Sequence, residues 1–178
     1  MRLDRAPIIE TDRLRLRAHA VDDYEACVAM WTDPAVFRYI GGKPSTRGQI
    51  WSRILAYAGH WALMGFGYWA VDSKETGGYV GELGFADFKR DMTPSIAGIP
   101  ELGWAFATPA SGRGYATEAL RAVAVWGDAH LAAARTTCIV DEDNAASIRV
   151  AAKLGFARTA TTTFNGRRTL VFERRPHA

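Results

Sequence analysis

The sequence predicts a mixed α/β (α+β) domain built on a mostly antiparallel sheet, and three observations carry that prediction. Strand and helix patterns alternate irregularly, in the order strand, two helices, three strands, helix, strand, helix, two strands. Two tight connections, one between the apolar runs at 68–71 and 79–86 and one at Asn165-Gly166, are hairpin signals that make sequence neighbours antiparallel. No linker, repeat or low-complexity tract interrupts the 178 residues, which suit one domain, 1–178, with a sizeable core.

Taken in order, "DRLRLRA" at 12–18 alternates Leu14, Leu16 and Ala18 with arginines, a strand with one wet face. "AVDDYEACVAMWTDPAVF" reads as a helix capped by Asp22 and ended by Pro34. "STRGQIWSRILAYAGHWAL" at 45–63 repeats Ile50, Ile54, Leu55 and Ala58 helically behind a Ser45 or Thr46 cap. Gly65 and Gly67 hand over to the first hairpin, "MTPSIAGIP" at 92–100 is a loop, and "ELGWAFA" at 101–107 is a strand. The stretch "ATPASGRGYATEAL" then opens a helix to about Leu131, with Ala116, Ala119, Leu120 and Val123 on its apolar face. "RTTCIV" at 135–140 is a strand, and 144–156 is a helix opened by Asn144 and closed by Gly155. "ARTATTTFN" and "RRTLVFERR" close the chain as a hairpin.

Composition excludes several functions. Hydrophobic residues make up 48%, and no apolar run is long enough to span a bilayer. The N-terminus mixes both charge signs without an apolar core, unlike an export signal, so a cytoplasmic location is expected. Cys27 and Cys138 lie far apart and read as buried small hydrophobes in a reducing compartment. The histidines at 19, 60, 130 and 177 are scattered without metal-ligand spacing, so no metal is expected. A net charge of +3, from 22 Lys plus Arg against 19 Asp plus Glu, is too small for a nucleic-acid footprint. The clusters "GRR" at 166–168 and "ERR" at 173–175 read as a solvated edge strand.

The glycine stretch carries the functional signal. The first turn of a helix leaves backbone N–H groups unpaired at the positive end of its dipole, and small residues leave that end open to an anion. A dinucleotide fingerprint needs a third glycine and an early position, both missing here, and a Walker loop is absent. A tight turn with packing glycines is the alternative.

In company with other segments, the stretch resembles the GNAT superfamily of acyl-CoA-dependent N-acyltransferases, in its RimJ/RimL-like branch. The family signature [QR]-x-x-G-x-[GA] is matched by Ser111-Gly112-Arg113-Gly114-Tyr115-Ala116, with Ser111 departing from the usual side chain. "ELGWAF" resembles the branch's E-[IL]-G-W strand, "DNAASIRVAAKLGF" its N-x-x-S helix, and "IIETDRLRLR" its first strand. The resemblance covers nearly the whole chain. It implies a GNAT-like, mostly antiparallel sheet of six to seven strands flanked by four helices, with splayed central strands.

The resemblance also implies acetyl-CoA as co-substrate. Backbone N–H groups of Gly112, Arg113, Gly114, Tyr115, Ala116 and Thr117 would cradle its pyrophosphate, with Arg113 adding positive charge. Its pantetheine arm would lie along Trp104, Ala105 and Phe106, and Asn144 and Ser147 would sit near the thioester. The family's backbone oxyanion donor maps to Phe106. The tyrosine that many members place seven residues after the asparagine is Ala151 here, which leaves Ser147 to assist the departing thiolate. Ser147 reads equally as a solvent-facing helix hydroxyl. Glu101 matches the branch's glutamate and is the expected base, its alternative being a strand-end carboxylate paired with an arginine.

The expected activity is therefore acetyl transfer from acetyl-CoA to a primary amine by direct attack in a ternary complex. The acceptor is left open among a protein N-terminus, a free amino acid, a polyamine and an antibiotic amine. Its pocket is expected between the first two helices and the last hairpin, with Trp31, Phe37, Tyr39, Trp61, Phe66 and Tyr68 as wall residues that serve equally as core. No nucleic acid or membrane partner is expected, and the chain is a monomer or a homodimer. The alternative from another class is a GNAT-shaped sensor or scaffold that binds acyl-CoA without turnover.

Overall fold

The computed structural model describes residues 3–176, which leaves His177 outside the described residues. The strands are β1 (Ile9–Glu10), β2 (Leu14–Arg17), β3 (Tyr68–Ser73), β4 (Tyr79–Ala86), β5 (Glu101–Phe106), β6 (Thr136–Asp141), β7 (Ala157–Phe164) and β8 (Arg167–Arg174). The helices are α1 (Tyr24–Trp31), α2 (Pro34–Phe37), α3 (Arg47–Met64), α4 (Tyr115–His130) and α5 (Ala145–Lys153). The eight strands form one sheet in the order β1-β2-β3-β4-β5-β6-β8-β7. Every neighbouring pair is antiparallel except β5 and β6.

The mixed, mostly antiparallel fold is the one expected, with one more strand and one more helix than the upper count. The extra strand arises because the Thr11 N–H bonds back to the Leu14 carbonyl (2.9 Å), folding Ile9 and Glu10 against β2. The extra helix arises because Pro34 does not merely end α1. It occupies the first turn of α2, where its missing N–H is no loss, and the Asp33 carboxylate caps the Ala35 N–H (2.8 Å). Asp22 is not the cap of α1. A 3-10 turn at Val21–Asp23 precedes that helix, and the Asp23 carboxylate takes the Ala20 N–H and the Arg17 guanidinium.

Local chemistry accounts for the remaining boundaries. Thr46 and Gln49 form a reciprocal capping box at the start of α3, and Gly65 ends that helix at φ 76°. Asn144 caps α5 through the Ser147 N–H (3.0 Å). Asn165 and Gly166 both take positive φ, 49° and 74°, as a two-residue hairpin turn requires.

The arginine clusters do not sit on an edge. β8 lies between β6 and β7, and β7 is the edge. The arginines are held there by acids: Arg167 by Asp141, Arg168 by Glu142, and the 6%-exposed Arg174 by Asp128. Strand alternation divides the core. Leu83, Phe85 and Leu102 pack with Leu120, Val123 and Trp126 of α4 on one face, whereas Ala105 packs with Cys27, Trp31 and Ile50 of α1 and α3 on the other.

Candidate active site

The parallel seam is where the sheet opens. β5 and β6 are paired only at Glu101 and Thr137, where the Thr137 N–H donates to the Pro100 carbonyl (3.0 Å). Beyond that pair the strands part. The Ala107 N–H donates to the Val80 carbonyl (2.9 Å), and the alternation of an antiparallel ladder then commits Ala105 and Gly103 to β4. The backbone edges of Trp104 and Phe106 are thereby turned toward β6, where pairing has already ended. Of the three residues expected to meet the pantetheine arm, Trp104 and Phe106 offer free backbone, while Ala105 offers its small side chain.

A cavity of about 520 Å³ lies at this opening, in the range of small-molecule sites. α1 and α3 contribute Trp31, Arg53 and Tyr57, the final hairpin contributes Phe164 and Arg167, and Glu101 and Trp104 line it from β5. Asn144 and Ser147, at the start of α5, line it too. Of the expected wall aromatics, Trp31, Tyr39 and Tyr68 are in place. Trp61 instead packs edge-on against Trp69 and Trp126, Phe66 lines a separate hollow beside His130, and Phe37 is on neither surface.

Glu101 is buried, and both its oxygens accept from Arg90: Nε to Oε2 at 2.6 Å and Nη2 to Oε1 at 2.8 Å. The carboxylate is therefore paired, as its alternative reading held, and it also lines the cavity. Next to it, Gly103 has no room for a side chain. A Cβ there would lie 2.0 Å from the Tyr68 hydroxyl, and the Tyr68 ring is itself stacked on Tyr57 (4.3 Å, 3° between planes).

The floor is organised by Glu82, which has no exposed surface. Its Oε1 accepts from the Tyr57 hydroxyl (2.6 Å) and the Trp31 indole N–H (3.1 Å), and its Oε2 accepts from the Tyr79 hydroxyl (2.8 Å). Burial opposes the charge, but the side chains of His19 and Tyr57 and the Arg53 cation outweigh it and hold this carboxyl below its usual range. Conversely, burial and then the Glu82 charge push Tyr57 up, and push the Cys27 thiol up to about 12. His19 and Cys27, far apart in sequence from Glu82, converge on it: the three ligand-capable atoms lie within 4.8 Å of one another. His19 Nε2 stands 3.5 Å from Glu82 Oε2, its nearest charged neighbour, without the geometry of a full hydrogen bond. The spacing rules used on the sequence do not detect such a group.

Gly112 to Thr117 lie outside the cavity, at the start of α4. Gly112 and Gly114 take φ 75° and 78°, so the absence of side chains serves the backbone directly. No side chain caps the first turn of α4, which leaves the N–H groups of Tyr115, Ala116 and Thr117 open. Arg113 pairs with the exposed Glu75 (2.5 Å). A second cation stands here: Arg13 donates to the Arg113 carbonyl (2.8 Å) and grips Glu118 (2.6 Å), bracing the loop against the helix. The open N–H groups and the two guanidinium groups fit an anionic group.

The profile of the acetyltransferase (GNAT) domain family matches residues 13–157. The chain belongs to the GNAT acetyltransferase family. Among its relatives is YoaA of Bacillus subtilis, named an N-acetyltransferase, 29% identical over 153 residues that make up 85% of this chain and 84% of YoaA. A GnaT-family acetyltransferase from Bordetella pertussis superposes with a TM-score of 0.83 at 28% identity, covering 95% of this chain and 99% of that one. RimL, a ribosomal L7/L12 alpha-N-protein acetyltransferase in complex with coenzyme A, shares the fold at a TM-score of 0.75 and 16% identity, over 95% and 98% of the two chains. This GNAT protein is thus an acyltransferase, on a scaffold that in RimL holds coenzyme A.

Sequence reading missed Arg53, Tyr57, Glu82, Arg90 and Arg13 as parts of this GNAT site. One of them had a signal. Glu82 is a charge inside the apolar run "YVGELGF", on the same strand face as Ala86, and a lone charge at an inward position marks a buried carboxylate.

Proposed function

We propose that the protein moves an acetyl group from acetyl-CoA to a primary amine, the amine attacking directly while both substrates are bound. The observation that carries this reading is the opening between β5 and β6, where the unpaired backbone of Trp104 meets a cavity that also reaches Asn144 and Ser147, and that of Phe106 continues the same free edge. Acetyl-CoA, when bound, supplies the activated thioester. The open N–H groups of Tyr115, Ala116 and Thr117, beside the two left-handed glycines, hold its pyrophosphate, with Arg13 and Arg113 adding positive charge. The Phe106 N–H faces the point where negative charge develops on the acyl oxygen. Ser147 stands at the first turn of α5, where its hydroxyl donates to the departing sulfur. Glu101 receives the amine proton through a water on the cavity side of its pair with Arg90.

Thiol release from acetyl-CoA across a panel of primary amines tests this reading, together with calorimetric binding of acetyl-CoA. Binding accompanied by amine-dependent release is the expected result. Binding without release on any amine would instead make the protein an acyl-CoA sensor.

A further inference from the structure

The cations that line the cavity are matched to carboxylates at two points, Arg90 with Glu101 and Arg167 with Asp141. Arg53 is not. Its guanidinium carbon lies 3.9 Å from the centroid of the Trp31 ring, its Nη1 makes one long contact to the Tyr57 hydroxyl (3.5 Å), and its buried Nε has no partner. Among the described residues, every other arginine either pairs with a carboxylate or stands exposed. Arg53 alone is part-buried, on a cavity wall, and without a carboxylate in direct contact. The Glu82 charge reaches Arg53 only through space, with the Tyr57 hydroxyl between them. Glu82 forms no ion pair with Arg53, and it is already occupied by the Tyr57, Trp31 and Tyr79 donors. A desolvated guanidinium stacked on an indole is held in one orientation, with its planar fork available to a carboxylate.

We propose that Arg53 receives a carboxylate carried by the acceptor, so that the acetylated compound is an amino carboxylate rather than a simple amine or a polyamine. This deepens the N-acetyltransferase reading and rests on it. The charge of the cavity agrees: Lys43, Arg53, Arg90 and Arg167 stand against Glu82, Glu101 and Asp141, an excess of one cation (four minus three). A polyamine would add like charge to that excess, whereas an amino carboxylate cancels it. The excess also favours the neutral form of an incoming amine, the form that attacks.

The shared chemistry is a carboxylate near an amine, and it has two sources: the α-carboxylate of an amino acid, or an acidic side chain on an otherwise amidated compound. Thiol release is measured on amino acids, on their α-amides, on aspartate and glutamate α-amides, and on the decarboxylated amines. In the parent protein, kcat/KM for the carboxylate-bearing acceptor exceeds that for its decarboxylated partner by about tenfold to a hundredfold, the usual worth of a charged hydrogen-bonded pair. In Arg53→Met, which keeps an apolar stem over Trp31, that ratio collapses toward one through a rise in KM for the carboxylate-bearing acceptor. Arg53→Lys restores part of the ratio. Acceptor binding is read separately, by calorimetry in the presence of coenzyme A, where no transfer occurs. Binding of the amino carboxylate that Arg53→Met abolishes, without thiol release, would leave Arg53 as the carboxylate receptor and reject transfer. Release that is indifferent to the carboxylate, an Arg53→Met defect equal on all acceptors, or no binding of any amino carboxylate would each overturn the proposal.

Discussion

Removing the Glu82 carboxylate is the sharpest test of how the cavity floor is built. Glu82→Ala removes the acceptor of three strong donors, the Tyr57 hydroxyl, the Trp31 indole N–H and the Tyr79 hydroxyl, which now bond at 2.6, 3.1 and 2.8 Å, and of the weak Cys27 thiol donor at 3.9 Å. Each orphaned donor costs about 1–3 kcal/mol. Relief from burying a charge offsets part of that sum, and breaking buried charged networks on one side nets roughly 3–5 kcal/mol of destabilisation. That is a large share of the ~5–15 kcal/mol that holds a domain folded, and at about 2–4 °C per kcal/mol it lowers Tm by roughly 6–20 °C. Glu82→Gln keeps one acceptor oxygen and the volume, so its loss is smaller, about 1–2 kcal/mol. Urea unfolding of the three proteins at pH 7 measures the series. The pH dependence gives a second reading. The folded-state pKa of Glu82 is held below its ordinary 4.5, so the unfolded chain binds the proton more tightly. This part of the stability is present above 4.5 and is lost as pH falls through the folded value, so Glu82→Ala should show a shallower acid loss than the parent. An alanine variant within about 1 kcal/mol of the parent, with the same acid slope, would refute the idea that Glu82 organises the floor.

The pyrophosphate cradle is tested by an isosteric pair, since Gly112 has φ 75° and nothing within 4 Å of an added Cβ, and Asn and Asp both tolerate that conformation. Gly112→Asn should bind acetyl-CoA nearly as the parent does and Gly112→Asp about tenfold to a hundredfold more weakly by calorimetry; equal affinities would remove the phosphates from this loop. Ser147→Ala should lower kcat more than acetyl-CoA affinity, at the low end of the ~10²–10⁴-fold range for acid assistance, and full activity would mean the sulfur leaves solvated. Glu101→Gln should cut the rate at neutral pH and regain part of it at high pH, where more amine is already neutral; a pH–rate profile that overlays the parent's would leave solvent as the base.

Legibility in the sequence followed the range of the interaction. Turns, caps and alternation act within a few residues, and these were readable: the Thr46 cap, the Asn144 cap and the Asn165-Gly166 turn all sit where the residue types place them. Asp22 reads as a cap because it is an acid at a helix start, yet the structure uses Asp23 there instead. The choice depended on Arg17 of β2, which draws in Asp23 through a contact that local pattern does not contain. The arginines of β8 looked like an edge because charge usually marks solvent. Their acids, Asp141, Glu142 and Asp128, lie on β6, on the segment just after it and on α4, so the pairing exists only in the folded sheet. The same holds in the site. Glu101 was found from its strand, but Arg90, which occupies both its oxygens, comes from the preceding loop, and Arg53 is simply one polar position on an amphipathic helix until α3 is laid against Trp31.

In the proposed reaction, β5 serves two substrates with one strand. Side chains alternate across the sheet with a period of two, so Glu101, Gly103 and Ala105 face α1 and α3, and Leu102, Trp104 and Phe106 face α4. Ladder bonds alternate with the same period, which gives the odd-numbered residues to β4 and turns the backbone of Trp104 and Phe106 toward the parted β6. The two periods coincide. Glu101 and Ala105, on the cavity face, spend their backbone on β4, and Trp104 and Phe106, which spare their backbone for the opening, turn half-buried side chains to the far face. The Tyr68 hydroxyl fits above Gly103 because that position presents no side chain at all. A slip of one residue would turn Glu101 away from Arg90 and bring Leu102 or Trp104 against Tyr68. The register fixed by Gly84 opposite Gly103 and Glu82 opposite Ala105 therefore sets the site as much as any single side chain does.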